Sequence, residues 1–93
     1  TAVVMNPTHF AVALFYSRDQ RQLPTIVAKG VDNEALAIRR LAEESGVPVF
    51  VNPPLARALH QLPLNASIPK ALLEPVAAVM RWVEGVGAQR ADT

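Results

Sequence analysis

The sequence predicts an α/β fold: a single small domain in which about four strands form a mixed sheet packed by about three helices. Three observations point there. Short apolar runs recur at Ala2 to Met5, Phe10 to Tyr16, Thr25 to Ala28 and Val49 to Val51. They are bounded by turn residues and rich in β-branched or aromatic side chains, as buried strands are. Between and after them, apolar residues return at helical spacing. The 93-residue length, with 51% hydrophobic and 18% charged residues, suits one globular core and not a disordered chain.

Each element has a local reason. Ala2 to Met5 reads as a buried strand, closed by the turn dipeptide Asn6-Pro7. Phe10 to Tyr16 is a second strand, aromatic at both ends. Ser17 to Leu23 is polar and reads as an exposed loop. Thr25 to Ala28 is a third strand, ending near Gly30. Asp32 is a good helix N-cap, because its carboxylate can accept an orphan backbone N–H, and Glu34 falls in the favourable first turn. Ala35, Leu36, Ile38, Leu41 and Ala42 then form a helical stripe. Gly46 stops that helix and Pro48 prevents its continuation. Val49 to Val51 is a fourth, short strand. Pro53 and Pro54 suit the first turn of a second helix, where missing N–H groups cost little. Leu55, Leu59 and Leu62 share one of its faces. Ile68-Pro69 opens a third helix with the face Leu72, Val76, Val79 and Val83, and Pro75 predicts a start near Leu72 or a mild kink. Gly85 and Gly87 predict fraying, so the domain is placed at 1–86 with a flexible tail at 87–93. The unit from Thr25 to Val51 predicts a right-handed crossover between parallel strands. The first strand is either one arm of a hairpin or bends sharply to another partner.

Composition removes several function classes. There is no cysteine, which excludes disulfides, thiolate zinc sites and a cysteine nucleophile. With two histidines and scattered carboxylates, no metal site and no cofactor are expected. The net charge is +1, and the basic residues are spread along the chain, so no nucleic-acid footprint is expected. No apolar run reaches the ~20 residues that span a bilayer. The glycines fit no phosphate-binding or dinucleotide spacing. Thr1-Ala2-Val3-Val4-Met5 is strand-like from its first residue, which reads as a domain cut from a longer protein.

Asn6-Pro7-Thr8-His9 carries distinctive chemistry. An Asn side chain is ordinarily attacked by the next residue's backbone nitrogen, but proline has no N–H and that route is closed. The reverse cyclisation stays open. The Asn6 side-chain nitrogen attacks Asn6's own carbonyl carbon, a succinimide forms, and the Pro7 nitrogen leaves. Covalent attachment supplies the proximity. His9 is the candidate proton shuttle. Thr8 is the candidate donor to the oxyanion, by hydroxyl or backbone N–H. Asn-Pro is also an ordinary turn, and the sequence holds its own comparison in Asn52-Pro53. That second site reads as a helix start without the Thr-His pair, and is expected to stay intact.

The tetrapeptide, followed by the apolar Phe10-Ala11-Val12-Ala13-Leu14, resembles the export-switch family of type III secretion and flagellar systems, the FlhB/YscU family. The resemblance runs along nearly the whole chain: Val27-Ala28-Lys29-Gly30 before a helix, Gly46-Val47-Pro48-Val49, Asn52-Pro53-Pro54-Leu55-Ala56-Arg57-Ala58-Leu59, and Ile68-Pro69 before the last helix. It implies the cytoplasmic domain of a bacterial inner-membrane protein whose membrane-spanning part lies outside this chain. It implies self-cleavage between Asn6 and Pro7 into fragments 1–6 and 7–93 that remain associated. The implied cut is a single-turnover event that permits a change of secretion substrates, and no activity on external substrates is expected. Asn6 is implied as cyclising residue, Pro7 as leaving group, and Thr8 and His9 as supporting residues. The implied partners are other export-apparatus proteins, and secreted substrates or their chaperones.

Other residues read more simply. His60 lies off the leucine face of its helix and reads as a surface histidine. Trp82 reads as a core-edge residue, and Arg39-Arg40 and Glu43-Glu44 as solvated faces. Ser17 has no triad partners nearby. The competing function is an uncleaved α/β interaction module that docks secretion substrates or chaperones; a small ligand-binding enzyme on the sheet is a third.

Overall fold

A computed structural model describes residues 1–7, 9–16 and 23–91, with the backbone alone for 86–91. Strand β1 (Ala2–Asn6) lies inside the sheet, flanked by β2 (Phe10–Phe15) and β4 (Val49–Val51), with β3 (Thr25–Val31) beyond β2. The order is β3-β2-β1-β4. β1 pairs antiparallel with β2 and parallel with β4, and β2 pairs antiparallel with β3. The sheet is therefore mixed and four-stranded, as the sequence predicts. β1 and β2 form a hairpin, which decides between the two positions left open for the first strand.

Side chains alternate across a strand, so each strand feeds two cores. Ala2, Val4, Val12, Leu14 and Ile26 face one layer, where they pack with Leu55, Ala56, Leu59, Ile68, Val76 and Val79. Val3, Met5, Ala11 and Ala13 face the other, against Ala35 and Ala42. Helix α1 (Asn33–Glu44) thus covers one face of the sheet. Helices α2 (Pro53–His60) and α3 (Leu73–Ala91) cover the other. Burial on both faces explains why β1 reads as an unbroken apolar run.

Several local expectations are corrected. β3 and β4 do run parallel, but at opposite edges, so α1 crosses over β2 and β1 between them. β3 continues through Gly30 to Val31, and Gly30 pairs with Ala11 inside the sheet. A register shift at Ala13/Leu14 leaves Val27 as the extra residue of a bulge. In α1 only Ala35 and Ala42 are buried, and Leu36 and Leu41 are exposed. Helical geometry explains this: 36 and 41 lie about 100° to either side of the narrow 35/38/42 seam. Ser17 to Gln22, expected as a loop, lie outside the described residues.

Helix ends follow their chemistry more closely. Gly46 adopts φ 73°, and Val47 N–H donates to Ala42 C=O at 2.8 Å, the 6→1 bond of a Schellman stop. Asn52 caps α2, its Oδ1 accepting from Leu55 N–H at 3.2 Å, with Pro53 and Pro54 in the first turn. A 3-10 turn (Lys70–Leu72) precedes α3, so Pro75 falls in the first helical turn and needs no kink. The α3 backbone is helical through Ala91, so neither Gly85 nor Gly87 ends it.

Candidate functional site

The Asn6–His9 turn lies at the carboxyl ends of β1, β3 and β4, the edge where α1 and α2 begin. Among the described residues, three backbone hydrogen bonds fix it. His9 N–H donates to the Asn6 carbonyl oxygen at 3.1 Å, closing the turn. Asp32 N–H donates to the His9 carbonyl oxygen at 3.0 Å, tying the turn to the junction of β3 and α1. Asn52 N–H donates to the Met5 carbonyl oxygen at 2.9 Å, holding the end of β1 to the start of α2. The residue before the turn, Met5, is buried, and Asn6 itself pairs with Phe10.

The turn is pinned at its base and open at its tip. Asn6 is half-buried and Pro7 is exposed. No side chain among the described residues engages the Asn6 carboxamide. The Asn52 carboxamide, by contrast, is occupied as a helix cap. Among the described residues the two Asn-Pro steps therefore differ: the Asn52 side chain caps a helix, and no such bond holds the Asn6 side chain.

The structure places the candidate residues unevenly. Asn6, Pro7 and His9 are brought together by the hairpin, and Thr8 lies outside the described residues. Among the described residues the backbone N–H of His9 is a donor to the Asn6 carbonyl, a group that sequence reasoning did not assign. The His9 imidazole is 62% exposed, with Nδ1 4.0 Å from an Asp32 carboxylate oxygen. That overturns the capping role expected of the Asp32 side chain, which makes no cap hydrogen bond. The sequence signal was available only in part: Asp32 stands at a strand-helix junction, but its pairing with residue 9 depends on the β2/β3 register.

His60 is also nearer the turn than its sequence reading suggests. Its ring packs against Phe10 at 4.9 Å between centroids, beside His9. The Lys29 ammonium supports this corner by donating to the His60 carbonyl at 3.2 Å and the Leu62 carbonyl at 2.9 Å. These carbonyls lie at the C-terminal end of α2, where a cation is favoured. Trp82, expected at the core edge, is exposed, and its ring lies 5.3 Å between centroids from Phe50, which itself packs on the core. Among the described residues no cluster of three or more His, Asp or Glu is placed to hold a metal ion. Among them, too, no helix is long and apolar enough to cross a membrane.

Known proteins share both sequence and fold. Residues 1–83 match the family described as FlhB HrpN YscU SpaS. The hypersensitivity response secretion protein HrcU of Ralstonia nicotianae is 52% identical over 87 residues, covering 94% of this chain and 24% of that protein. The flagellar biosynthetic protein FlhB of Bacillus subtilis is 42% identical over 82 residues, covering 87% and 23%. The chain thus spans about a quarter of the length of these curated relatives. The solved cytoplasmic domain of FlhB from Shewanella putrefaciens superposes with a TM-score of 0.88 at 36% identity, covering 98% of this chain and 70% of that one. An EscU C-terminal domain carrying an Asn-to-Ala substitution gives 0.85 at 37% identity, covering 89% and 84%. A whole-domain match in sequence, joined to the same sheet and helices in space, settles the kinship that the Asn6–His9 turn suggested: the chain belongs to the FlhB HrpN YscU SpaS family of export proteins.

Proposed function

We propose that this domain cuts its own backbone between Asn6 and Pro7, and that the cut permits a secretion apparatus to change its substrates. The observation that carries the reading is a hydrogen-bonded Asn6 carbonyl beside an Asn6 carboxamide that no side chain among the described residues engages. The His9 N–H polarises the carbonyl and stabilises the oxyanion that forms there. The Asn6 Nδ2 lone pair bonds to the Asn6 carbonyl carbon. The carbon–nitrogen bond to Pro7 then breaks, and the proton lost by Nδ2 passes to the Pro7 nitrogen, with His9 as its carrier. Fragment 1–6 ends as a succinimide, which water later opens, and fragment 7–93 starts at the Pro7 amine. Among solved relatives are EscU domains altered to alanine at an asparagine and at the proline directly after it, which supports attention to this step.

Both pieces have reason to stay together. Ala2, Val3, Val4 and Met5 are at most 2% exposed, and β1 is hydrogen-bonded on both sides. Each fully buried Val contributes roughly 1.5–3 kcal/mol, and severing the exposed step at Pro7 removes little of this. What changes is the turn, freed at Pro7 to reshape the surface beside His9. The domain would work at the cytoplasmic face of the bacterial inner membrane, carried by a membrane part of the parent protein. Its partners there would be other export-apparatus proteins and the secreted substrates or their chaperones.

Intact-mass spectrometry of fresh protein tests the reading. It predicts fragments 1–6 and 7–93, their loss in Asn6→Ala, and no cut at Asn52-Pro53. A chain that stays whole for days at neutral pH refutes it. The competing reading, a docking module that need not be cut, has its own support. An apolar cleft of about 320 Å³ opens between Leu23-Pro24 and α3, lined there by Leu73, Val76 and Met80. Secretion-substrate peptides that bind Asn6→Ala and cut protein equally would favour docking without a switch.

A further inference from the structure

The geometry points to Asp32 as a positioning residue for the cut, acting through His9; the inference rests on the self-cleavage reading. Asp32 occupies the N-cap of α1, where a carboxylate ordinarily accepts an orphan helix N–H. Its side chain makes no such bond, and Oδ1 stands 4.0 Å from His9 Nδ1 instead. The backbone is as unusual as the side chain. Asp32 holds φ 48° and ψ −113°, a region that glycine enters readily and that a residue with a Cβ avoids. From that pose its N–H reaches the His9 carbonyl at 3.0 Å. One residue therefore bonds the main chain of His9 and brings a carboxylate to 4.0 Å from its imidazole. Strained conformations of this kind persist where the surroundings impose them, often at sites of function.

The consequence is a defined imidazole. A carboxylate facing Nδ1 favours the tautomer with the proton on Nδ1 and leaves Nε2 as the acceptor. Nε2 takes the proton that Asn6 Nδ2 loses on bonding to the Asn6 carbonyl carbon. The same proton goes to the Pro7 nitrogen as its bond to that carbon breaks. Between the two transfers His9 is an imidazolium, and the Asp32 carboxylate stabilises its charge. No net proton is consumed and no co-reactant is needed.

The test follows cleavage of the newly made chain by intact mass during cell-free synthesis. Asp32→Asn should lengthen the half-time about three- to fivefold, the scale of a solvent-exposed ion pair. In a His9→Ala background the same substitution should change nothing. Asp32→Gly, which also relaxes the backbone, should match Asp32→Asn. On the uncut Asn6→Ala chain, the imidazole ¹⁵N shifts of His9 should report the Nδ1-protonated form, and Asp32→Asn should move them toward the other tautomer. Equal half-times for wild type and Asp32→Asn overturn the inference. So does an Asp32→Asn effect that persists without the His9 imidazole, since Asp32 would then act through the fold alone. A wild-type chain that never cuts refutes the self-cleavage reading itself, an outcome distinct from both.

Discussion

The backbone N–H of His9 donates to the carbonyl oxygen of Asn6 at 3.1 Å, so one residue offers two separable groups to the same bond. The N–H contacts the oxygen of the Asn6–Pro7 amide, and the imidazole, exposed beside Asp32, is the proposed proton carrier. His9→Ala keeps the first group and removes the second. His9→Pro removes both, since proline has no N–H. Loss of a proton carrier should slow the cut roughly 10²-fold. Loss of the oxyanion donor should slow it about 10²-fold further. A mass-spectrometric time course, with circular dichroism to check the fold, reads both. Equal rates for the two variants would show that the hydrogen bond closes the turn without assisting the chemistry.

Gly30 is needed where it stands for a different reason. A Cβ there would lie 2.7 Å from Glu34 Cβ and 3.0 Å from the Glu34 backbone carbon. Backbone at that distance cannot rotate away, so α1 would have to lift from the sheet. Gly30→Ala should therefore destabilise the fold by about 1–3 kcal/mol, the usual cost of overpacking. Urea denaturation measures it. An unchanged midpoint would mean that α1 floats on β3 and that its seat at Ala35 and Ala42 is loose.

The same glycine shows how far the sequence could be read. Gly30 was legible as punctuation but not as a contact, because its partners Glu34 and Ile38 are set by how α1 lies on the sheet. The strands, the Gly46 stop and the Asn52-Pro53-Pro54 start were readable because their causes are local: side-chain alternation, a left-handed glycine, a capping carboxamide. The width of the buried face of α1 was not. Small Ala35 and Ala42 let the helix sit close, and that closeness leaves Leu36 and Leu41 outside. At the candidate site, Asn6, Pro7, Thr8 and His9 were singled out by the reactivity of the Asn-Pro step and by the family resemblance. Asp32 was missed as a neighbour of His9 because residues 9 and 32 meet only through the β2/β3 register.

Lys29 ties β3 to the end of α2 by two bonds to main-chain carbonyls, those of His60 and Leu62. Lys29→Met preserves much of the aliphatic length and removes both. Two partly buried carbonyls lose a charged donor, so the expected cost is on the order of 2–3 kcal/mol. His60 should also loosen from Phe10. Chemical denaturation gives the stability, and the His60 ring proton shifts, displaced in the native fold by the Phe10 ring, give the local effect. Full stability in Lys29→Met, with the ring shifts unchanged, would mean that water replaces the ammonium at no loss.

Asp32 supplies the last prediction, on the backbone alone. Asp32→Ala and Asp32→Gly both remove the carboxylate, so they differ only in the Cβ and in unfolded-state freedom. In a helix, glycine costs roughly 0.5–1 kcal/mol relative to alanine. At φ 48° and ψ −113° the strain on a Cβ works the other way, at about 1–3 kcal/mol. Strain should win, leaving the glycine variant more stable than the alanine variant by roughly 1 kcal/mol, the difference of these terms. Thermal denaturation of the two variants in the Asn6→Ala background, where every chain is whole, makes the comparison clean. An alanine variant as stable as the glycine variant would mean that residue 32 relaxes out of its pose once the carboxylate is gone. The pose would then depend on the Asp32 side chain and its approach to His9, and the β3–α1 junction would not impose it.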